Sequence, residues 1–148
     1  MSYMADTNIL LRFIAPSDPN HLLVRNLIYS LLNRGEEICY TSQNLAEFWN
    51  VCTRPLTTRS GFGLSIEETD VRAQVIERYF TFKPDSAAVH AEWRRLIVHY
   101  KVSGVKVHDA RLVAAMCIHG VTDIITFNTN DFTRYTEITA YHPSAIVL

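Results

Sequence analysis

The first fifteen residues, MSYMADTNILLRFIA (1–15), place a carboxylate in the middle of an apolar stretch. Residues 3–5 have the pattern of a strand end and residues 9–14 that of the first turns of a helix, so Asp6 lies at a strand-to-helix junction. Its side chain could accept hydrogen bonds from the free N–H groups of that first turn, as helix caps do. Whether Asp6 does more depends on which other acidic side chains the fold brings beside it.

Length and composition predict one globular domain, residues 1–148. The chain is long enough for a proper core and short for two domains. Hydrophobic residues make up 48% and charged residues 20%, which is a balance typical of folded proteins. The longest apolar runs are far shorter than a membrane span, and no basic segment leads an apolar one at the N-terminus. We therefore expect a cytoplasmic protein with no membrane contact.

Charge and cysteine usage give no sign of a global nucleic-acid surface or a disulfide framework. Fourteen lysines and arginines face fifteen acids, for a net charge of -1, so any RNA contact would depend on local positive charge. Cys39, Cys52 and Cys117 are odd in number, far apart and surrounded by apolar residues, which is typical of free core cysteines. The six histidines lack the close spacing of a metal pair.

Short apolar strands alternate with amphipathic helices along the chain. This alternation favours an α/β fold with a mainly parallel central sheet and helices on both faces. Predicted strands cover 37–40 and 123–127, with a further one at 145–148; predicted helices cover 21–35, 43–54, 65–79, 86–101 and 108–120. The loop between the predicted helices 43–54 and 65–79, PLTTRSGFGLS (55–65), is rich in glycine and hydroxyl residues and could move or make contacts.

Four acids are expected at one edge of this sheet. In open α/β sheets, ligands bind beyond the carboxyl ends of the strands. Asp6 follows the first strand, Glu47 lies in the helix after the second, and Asp131 follows the strand at 123–127. Asp109 opens a helix whose N-terminus faces the same edge. Parallel strands would therefore bring four carboxylates together.

Each acid also has a purely structural interpretation. Asp109 lies on an apolar face of its helix, where Arg111 or the helix dipole could compensate its charge. Glu47, at the border of an apolar face, is also compatible with a solvated glutamate, and Asp131 with an ordinary turn residue. If the acids share one cleft, a metal site explains them better than separate structural roles do, because several carboxylates repel one another unless a hard cation neutralises them. Oxygen-only ligands suit Mg²⁺, with Mn²⁺ as a substitute.

The same residues resemble a known family. The segments MADTNILLR (4–12), NLAEFWNV (44–51), VHDARLVAAM (107–116) and TFNTNDF (126–132) are similar, in this order and over almost the whole chain, to the PIN domain. The similarity is to the VapC-type toxins of prokaryotic toxin–antitoxin pairs. The segment TRPLTTRSGFGLS (53–65) also resembles a loop of one branch of these toxins.

The resemblance implies an α/β/α sandwich and a Mg²⁺-dependent endoribonuclease that cleaves RNA through a metal-activated water. It implies Asp6, Glu47, Asp109 and Asp131 as the catalytic and metal-binding acids. Asn128 departs from the family pattern, because many PIN domains carry an acid there. The residues implied to line the site or to orient Asp6 are Asn8, Thr126, Asn128 and Arg111. With Asp6 as a metal ligand, Thr7 becomes the expected helix cap.

The resemblance also implies partners. These are an RNA substrate, a cognate antitoxin protein that blocks the cleft, and a second copy of the chain in a homodimer. Because the site is acidic, positive side chains must hold the RNA. The candidates nearest in sequence are Arg12, Arg54, Arg59 and Arg111.

Two other classes of function stay open at this point. A catalytically silent PIN-like module could use the same cleft to bind a protein. Another Mg²⁺-dependent phosphotransfer protein of α/β fold, such as a response-regulator receiver or an aspartyl phosphatase, also has an acidic pocket at its strand ends. The receiver would need adjacent acids after the first strand, and the phosphatase an acid where Asn8 stands.

Overall fold

The computed structural model describes residues 1–148 as one five-stranded sheet with six α-helices around it. The strands are β1 (Ser2–Ala5), β2 (Glu37–Tyr40), β3 (Thr81–Phe82), β4 (Asp123–Ile125) and β5 (Thr139–Tyr141). The helices are α1 (Thr7–Phe13), α2 (His21–Asn33), α3 (Ser42–Thr53), α4 (Ile66–Tyr79), α5 (Ala87–His99) and α6 (Val107–His119).

The sheet is parallel throughout, with strand order β3-β2-β1-β4-β5. Met4 of β1 pairs with Cys39 of β2 on one side and with Ile124 of β4 on the other, so β1 is the central strand. The prediction of a mainly parallel sheet is confirmed. All five strands point their carboxyl ends at one edge.

Two apolar cores lie on opposite faces of the sheet, because side chains alternate along each strand. Tyr3 and Ala5 of β1 pack into the core formed with α1 to α4. Met4, between them, packs into the core formed with α5 and α6. The result is the predicted α/β/α sandwich.

Short sequence signals, such as capping residues and glycine, determine where several of the helices begin or end. Ser65 and Glu68 form a capping box at the start of α4, as the spacing of these two residues predicts. Gly120, with a φ of 72°, ends α6 in the left-handed conformation that glycine adopts without strain. The first helix starts at Thr7, two residues earlier than predicted.

The predicted strand at residues 145–148 is wrong. The last strand is β5, and Pro143–Ala145 forms a 3₁₀ turn instead. Proline has no N–H to donate to a strand neighbour, and the ring of His142 accepts a hydrogen bond from the Ser144 N–H, which stabilises the turn. No sequence pattern indicates β3, which has only two residues, both exposed.

The cysteines are all free, as expected. None of the helices combines the length and the apolar character that crossing a bilayer requires.

Candidate active site

The four acids predicted to meet lie beyond the carboxyl ends of the strands or at a helix start beside them. Asp6 directly follows β1, and Glu47 lies in α3, which follows β2. Asp131 lies in a 3₁₀ helix, Thr129–Phe132, that follows β4. Asp109 is in the first turn of α6. This is the edge at which open parallel sheets bind their ligands.

Hydrogen bonds fix the carboxylate of Asp6 on both oxygens. The backbone N–H of Asp6 still pairs with Ile125 of β4, at 3.0 Å, so the residue is anchored to the sheet. Its Oδ1 accepts from the Thr7 N–H at 2.8 Å, and its Oδ2 accepts from the Thr126 hydroxyl at 2.7 Å. Asp6 is therefore itself the cap of α1, and the prediction that Thr7 is the cap is wrong.

Asp6 is hard to ionise. Burial is the main cause, and it raises the pKa of Asp6 to about 6. The hydrogen bonds from Thr126 and Thr7 oppose this shift, whereas the negative charges of Asp109 and Glu47 add to it. The negative charges of Asp109 and Glu47 therefore both act on the Asp6 carboxylate, so the three carboxylates belong to one site.

Glu47 is oriented by α1 and by its own helix. Its Oε2 accepts from the Thr7 hydroxyl at 2.6 Å, and its Oε1 accepts from Gln43 Nε2 at 3.1 Å. The buried Asn44 donates to the same Thr7 hydroxyl at 3.3 Å. The other donor of Gln43 reaches the His108 carbonyl at 2.8 Å, which links the start of α3 to the start of α6.

Asp109 and Asp131 differ in their partners. Burial raises the pKa of Asp109, and the charges of Asp131 and Glu47 raise it further, while Lys106 opposes the shift. Asp109 takes part in none of the ion pairs of the molecule. Asp131 instead pairs with Lys106, whose Nζ lies 2.6 Å from Asp131 Oδ1. Of the two, only Asp131 is neutralised by a neighbouring cation.

The polar residues after β4 support Asp6. The Thr126 hydroxyl, which donates to Asp6, accepts from the backbone N–H of Asn128 at 3.0 Å. Asn8 Nδ2 lies 3.4 Å from both Asp6 Oδ2 and Thr126 Oγ1, and Asn8 Oδ1 accepts from the Phe127 N–H. Asn8 and Thr126 therefore orient Asp6. Asn128 is exposed and reaches this group through its backbone.

The sequence profile of the PIN domain matches residues 3–138. The chain belongs to the PIN domain family. Membership excludes the receiver and aspartyl phosphatase alternatives, which have other folds.

Solved structures with the same fold include toxin–antitoxin proteins. VapBC2 from Rickettsia felis, bound to a promoter DNA fragment, is 17% identical, with a TM-score of 0.70 over 96% of this PIN domain and 98% of that chain. A toxin–antitoxin complex from Klebsiella pneumoniae is 18% identical, with a TM-score of 0.65 over 97% and 99%. VapC20 from Mycobacterium tuberculosis, a sarcin-ricin loop cleaving toxin, is 14% identical, with a TM-score of 0.61 over 92% and 98%. At these identities the likeness establishes the fold. A sequence search of curated proteins gives no significant match.

The donor set suits a hard divalent cation. All four acids offer carboxylate oxygens, and Asp6 and Asp109 are the two whose ionised forms burial disfavours. No three of the His, Cys, Asp and Glu side chains are arranged so that together they could hold a metal ion. Mg²⁺ does not need three, because it usually keeps several waters and takes only one or two protein carboxylates.

Arg111 does not compensate Asp109. Its Nη2 pairs with Asp85 Oδ2 at 2.9 Å, so that structural interpretation of Asp109 is wrong. Arg111 also lines a cavity of about 350 Å³ between the starts of α5 and α6, together with Trp93 and His108. It therefore lies beside the acids, on a neighbouring surface.

The other three arginines suggested to bind RNA differ in their contacts and exposure. The guanidinium of Arg12 stacks on the Phe127 ring, 4.6 Å from its centroid. Arg54 Nη1 donates to the Arg59 carbonyl at 2.7 Å, across the loop that follows α3. Arg59 itself is exposed and has a positive φ of 39°.

Sequence reasoning missed Gln43 and Lys106. Gln43 precedes Glu47 by four residues on one helix, a spacing at which side chains meet, so this signal was available. Lys106 pairs with a residue 25 positions away, and no local pattern indicates such a contact. Gln43 orients Glu47 and Lys106 pairs with Asp131, although neither belongs to the acid set.

Proposed function

We propose that this PIN domain is a Mg²⁺-dependent endoribonuclease that acts as the toxin of a toxin–antitoxin pair. The observation that carries the proposal is the position of Asp6, Glu47 and Asp109 at the carboxyl edge of the sheet, where the charges of the other two act on Asp6. Carboxylates held together in this way cost stability and are typical of functional sites. The fold shared with VapC20, a toxin that cleaves the sarcin-ricin loop, supports RNA as the substrate.

Asp6 and Asp109 would hold the ion, because they combine burial with the absence of any ion-pair partner. When bound, Mg²⁺ would lower the pKa of a coordinated water and neutralise charge on the attacked phosphate; Mn²⁺ could replace it. Asn8, Thr126 and the Thr7 N–H keep the Asp6 carboxylate in one orientation.

Glu47 is suited to accept a proton from the attacking water. Gln43 and Thr7 each donate to one of its oxygens, so its position is fixed while lone pairs stay free. A carboxylate so placed can take up a proton briefly and release it to solvent. No side-chain nucleophile is needed in this scheme.

A cognate antitoxin and a homodimer complete the proposal. The structure from Klebsiella pneumoniae, which shares the fold, is a toxin–antitoxin complex. The cleft of this chain is acidic, so an antitoxin segment that enters it would need a positive side chain to pair with the acids. Assembly of two copies is proposed on the resemblance to the VapC-type toxins alone.

Expression in a bacterial host tests the proposed function. We expect the parent to arrest growth and to produce new RNA ends at a defined position, mapped by sequencing after brief expression. Asp109→Asn should produce neither, because it removes a metal-binding charge while keeping the shape of the side chain. Co-expression of the small protein encoded beside this gene should restore growth.

The matched control is Asp70→Asn, because Asp70 is exposed on α4 and its carboxylate bonds only Gln74 in the same helix. This variant should behave as the parent does. RNA ends that persist in Asp109→Asn would contradict the assignment of Asp109. Soluble parent protein that leaves cellular RNA intact would favour the second candidate function, a silent PIN module that binds a protein through the same cleft.

A further inference from the structure

Lys106 occupies a position that helix stability does not explain. It is the last residue of a 3₁₀ turn, Gly104–Lys106, that leads directly into α6, and its side chain makes no capping hydrogen bond. Positive charge is unfavourable at a helix N-terminus, where the free N–H groups already carry partial positive charge.

The ion pair between Lys106 and Asp131 offsets little of the unfavourable interaction between Lys106 and the helix N-terminus. The side chains of Lys106 and Asp131 are 43% and 34% exposed, although Nζ and Oδ1 are only 2.6 Å apart. Exposed ion pairs contribute about 0–1 kcal/mol, because water screens the attraction and both side chains lose freedom. The pair is therefore better explained by what it does to the site than by its effect on the fold.

Lys106 is the cation that neutralises part of the acid site. Among the four acids, Asp131 alone forms an ion pair, and its partner is Lys106. Arg111, which is also near the start of α6, forms its ion pair with Asp85. An ammonium group bound to Asp131 repels a metal ion at the same carboxylate, so Asp131 is a poor ligand for a second ion while Lys106 stays in place.

We infer that Lys106 supplies the second positive charge of the reaction, so that the site works with one divalent ion. Asp131 is then a positioning residue that holds the ammonium group beside the acids. The three N–H donors of Lys106 can contact a phosphate oxygen of the RNA as its negative charge grows. This inference rests on the proposed nuclease function and deepens it.

The experiment compares Lys106→Gln and Lys106→Arg with the parent and with Lys101→Gln. Lys101 is a suitable control because it lies five residues earlier, is exposed and forms no ion pair. Calorimetric titration with Mn²⁺ alone gives the number of ions and the affinity. Cleavage of a labelled RNA at saturating concentration gives kcat.

We expect one Mn²⁺ per chain in the parent and in Lys101→Gln. Lys106→Gln should lose at least tenfold in kcat, and Lys106→Arg should recover most of it. Lys106→Gln should also bind its first Mn²⁺ as tightly as the parent or more tightly, because a neighbouring positive charge is gone. A merely structural role would predict the opposite, since a distorted site binds metal more weakly.

Two ions bound by the parent would overturn the inference. So would weaker Mn²⁺ binding by Lys106→Gln, or a kcat equal to that of the parent. Parent protein that binds Mn²⁺ and cleaves no RNA would instead overturn the proposed function, and with it the role of Lys106 toward the phosphate.

Discussion

Asp6→Asn is expected to slow RNA cleavage by roughly 1000-fold or more. A bound metal ion supplies several kcal/mol of transition-state stabilisation, and each ~1.4 kcal/mol corresponds to a tenfold change in rate. Asparagine keeps the size of the side chain and one oxygen that can accept from the Thr7 N–H, so α1 stays capped. The loss should therefore be in activity and not in folding. Initial rates of cleavage by purified parent and variant, at equal Mg²⁺, measure it.

Asp70→Asn is again the control, and it should cleave at the parental rate. Circular dichroism and thermal melting show whether Asp6→Asn is folded. A folded Asp6→Asn protein that retains more than a tenth of the parental rate would show that Asp6 is a helix cap only.

The second large effect concerns pH. In EDTA, the free energy of unfolding of the parent should rise as the pH falls from about 6 to about 4. Burial, with the charges of Asp109 and Glu47, raises the pKa of Asp6 to about 6 in the folded chain, against an ordinary value of about 3.9. Between these values the folded chain binds a proton that the unfolded chain does not, so stability falls as pH rises through this window. A shift of about two pKa units corresponds to up to ~3 kcal/mol.

The comparison with Asp6→Asn isolates this contribution. Other groups also contribute to the pH dependence: burial raises the pKa of Asp109, and the Cys39 and Lys83 partners lower that of Glu37. Urea unfolding of parent and variant at several pH values, always in EDTA, gives two curves. The curves should converge near pH 4 and separate above pH 6, with the parent the less stable protein there. Parallel curves would show that Asp6 titrates normally.

The sheet and its layers could be predicted from the sequence because burial patterns are strong. β2 begins and ends where predicted, and α4 begins at the residue that its capping box indicates. β3 could not be predicted, because two exposed residues carry no periodicity and pair only through their backbones. The prediction of a strand at 145–148 was wrong because an apolar run alone does not show whether a neighbouring strand is close enough to pair with it.

The placement of three of the acids at one edge of the sheet was predictable for a related reason. Asp6, Glu47 and Asp131 follow strands or lie in the helices after them, so parallel topology alone brings them to one edge. Their hydrogen-bond partners were not predictable, because contacts such as Thr7 with Glu47 and Lys106 with Asp131 join distant parts of the chain. Such contacts depend on side-chain directions that the sequence pattern does not specify.

The most direct test of the central claim is the rate at which the purified parent cleaves a labelled RNA, measured in EDTA and through a Mg²⁺ titration. We predict no cleavage in EDTA, a rate that rises with Mg²⁺ and saturates, and recovery when Mn²⁺ replaces Mg²⁺. Cleavage that continues undiminished in EDTA, by protein shown free of contaminating nuclease, would contradict the claim that these carboxylates work through a metal ion.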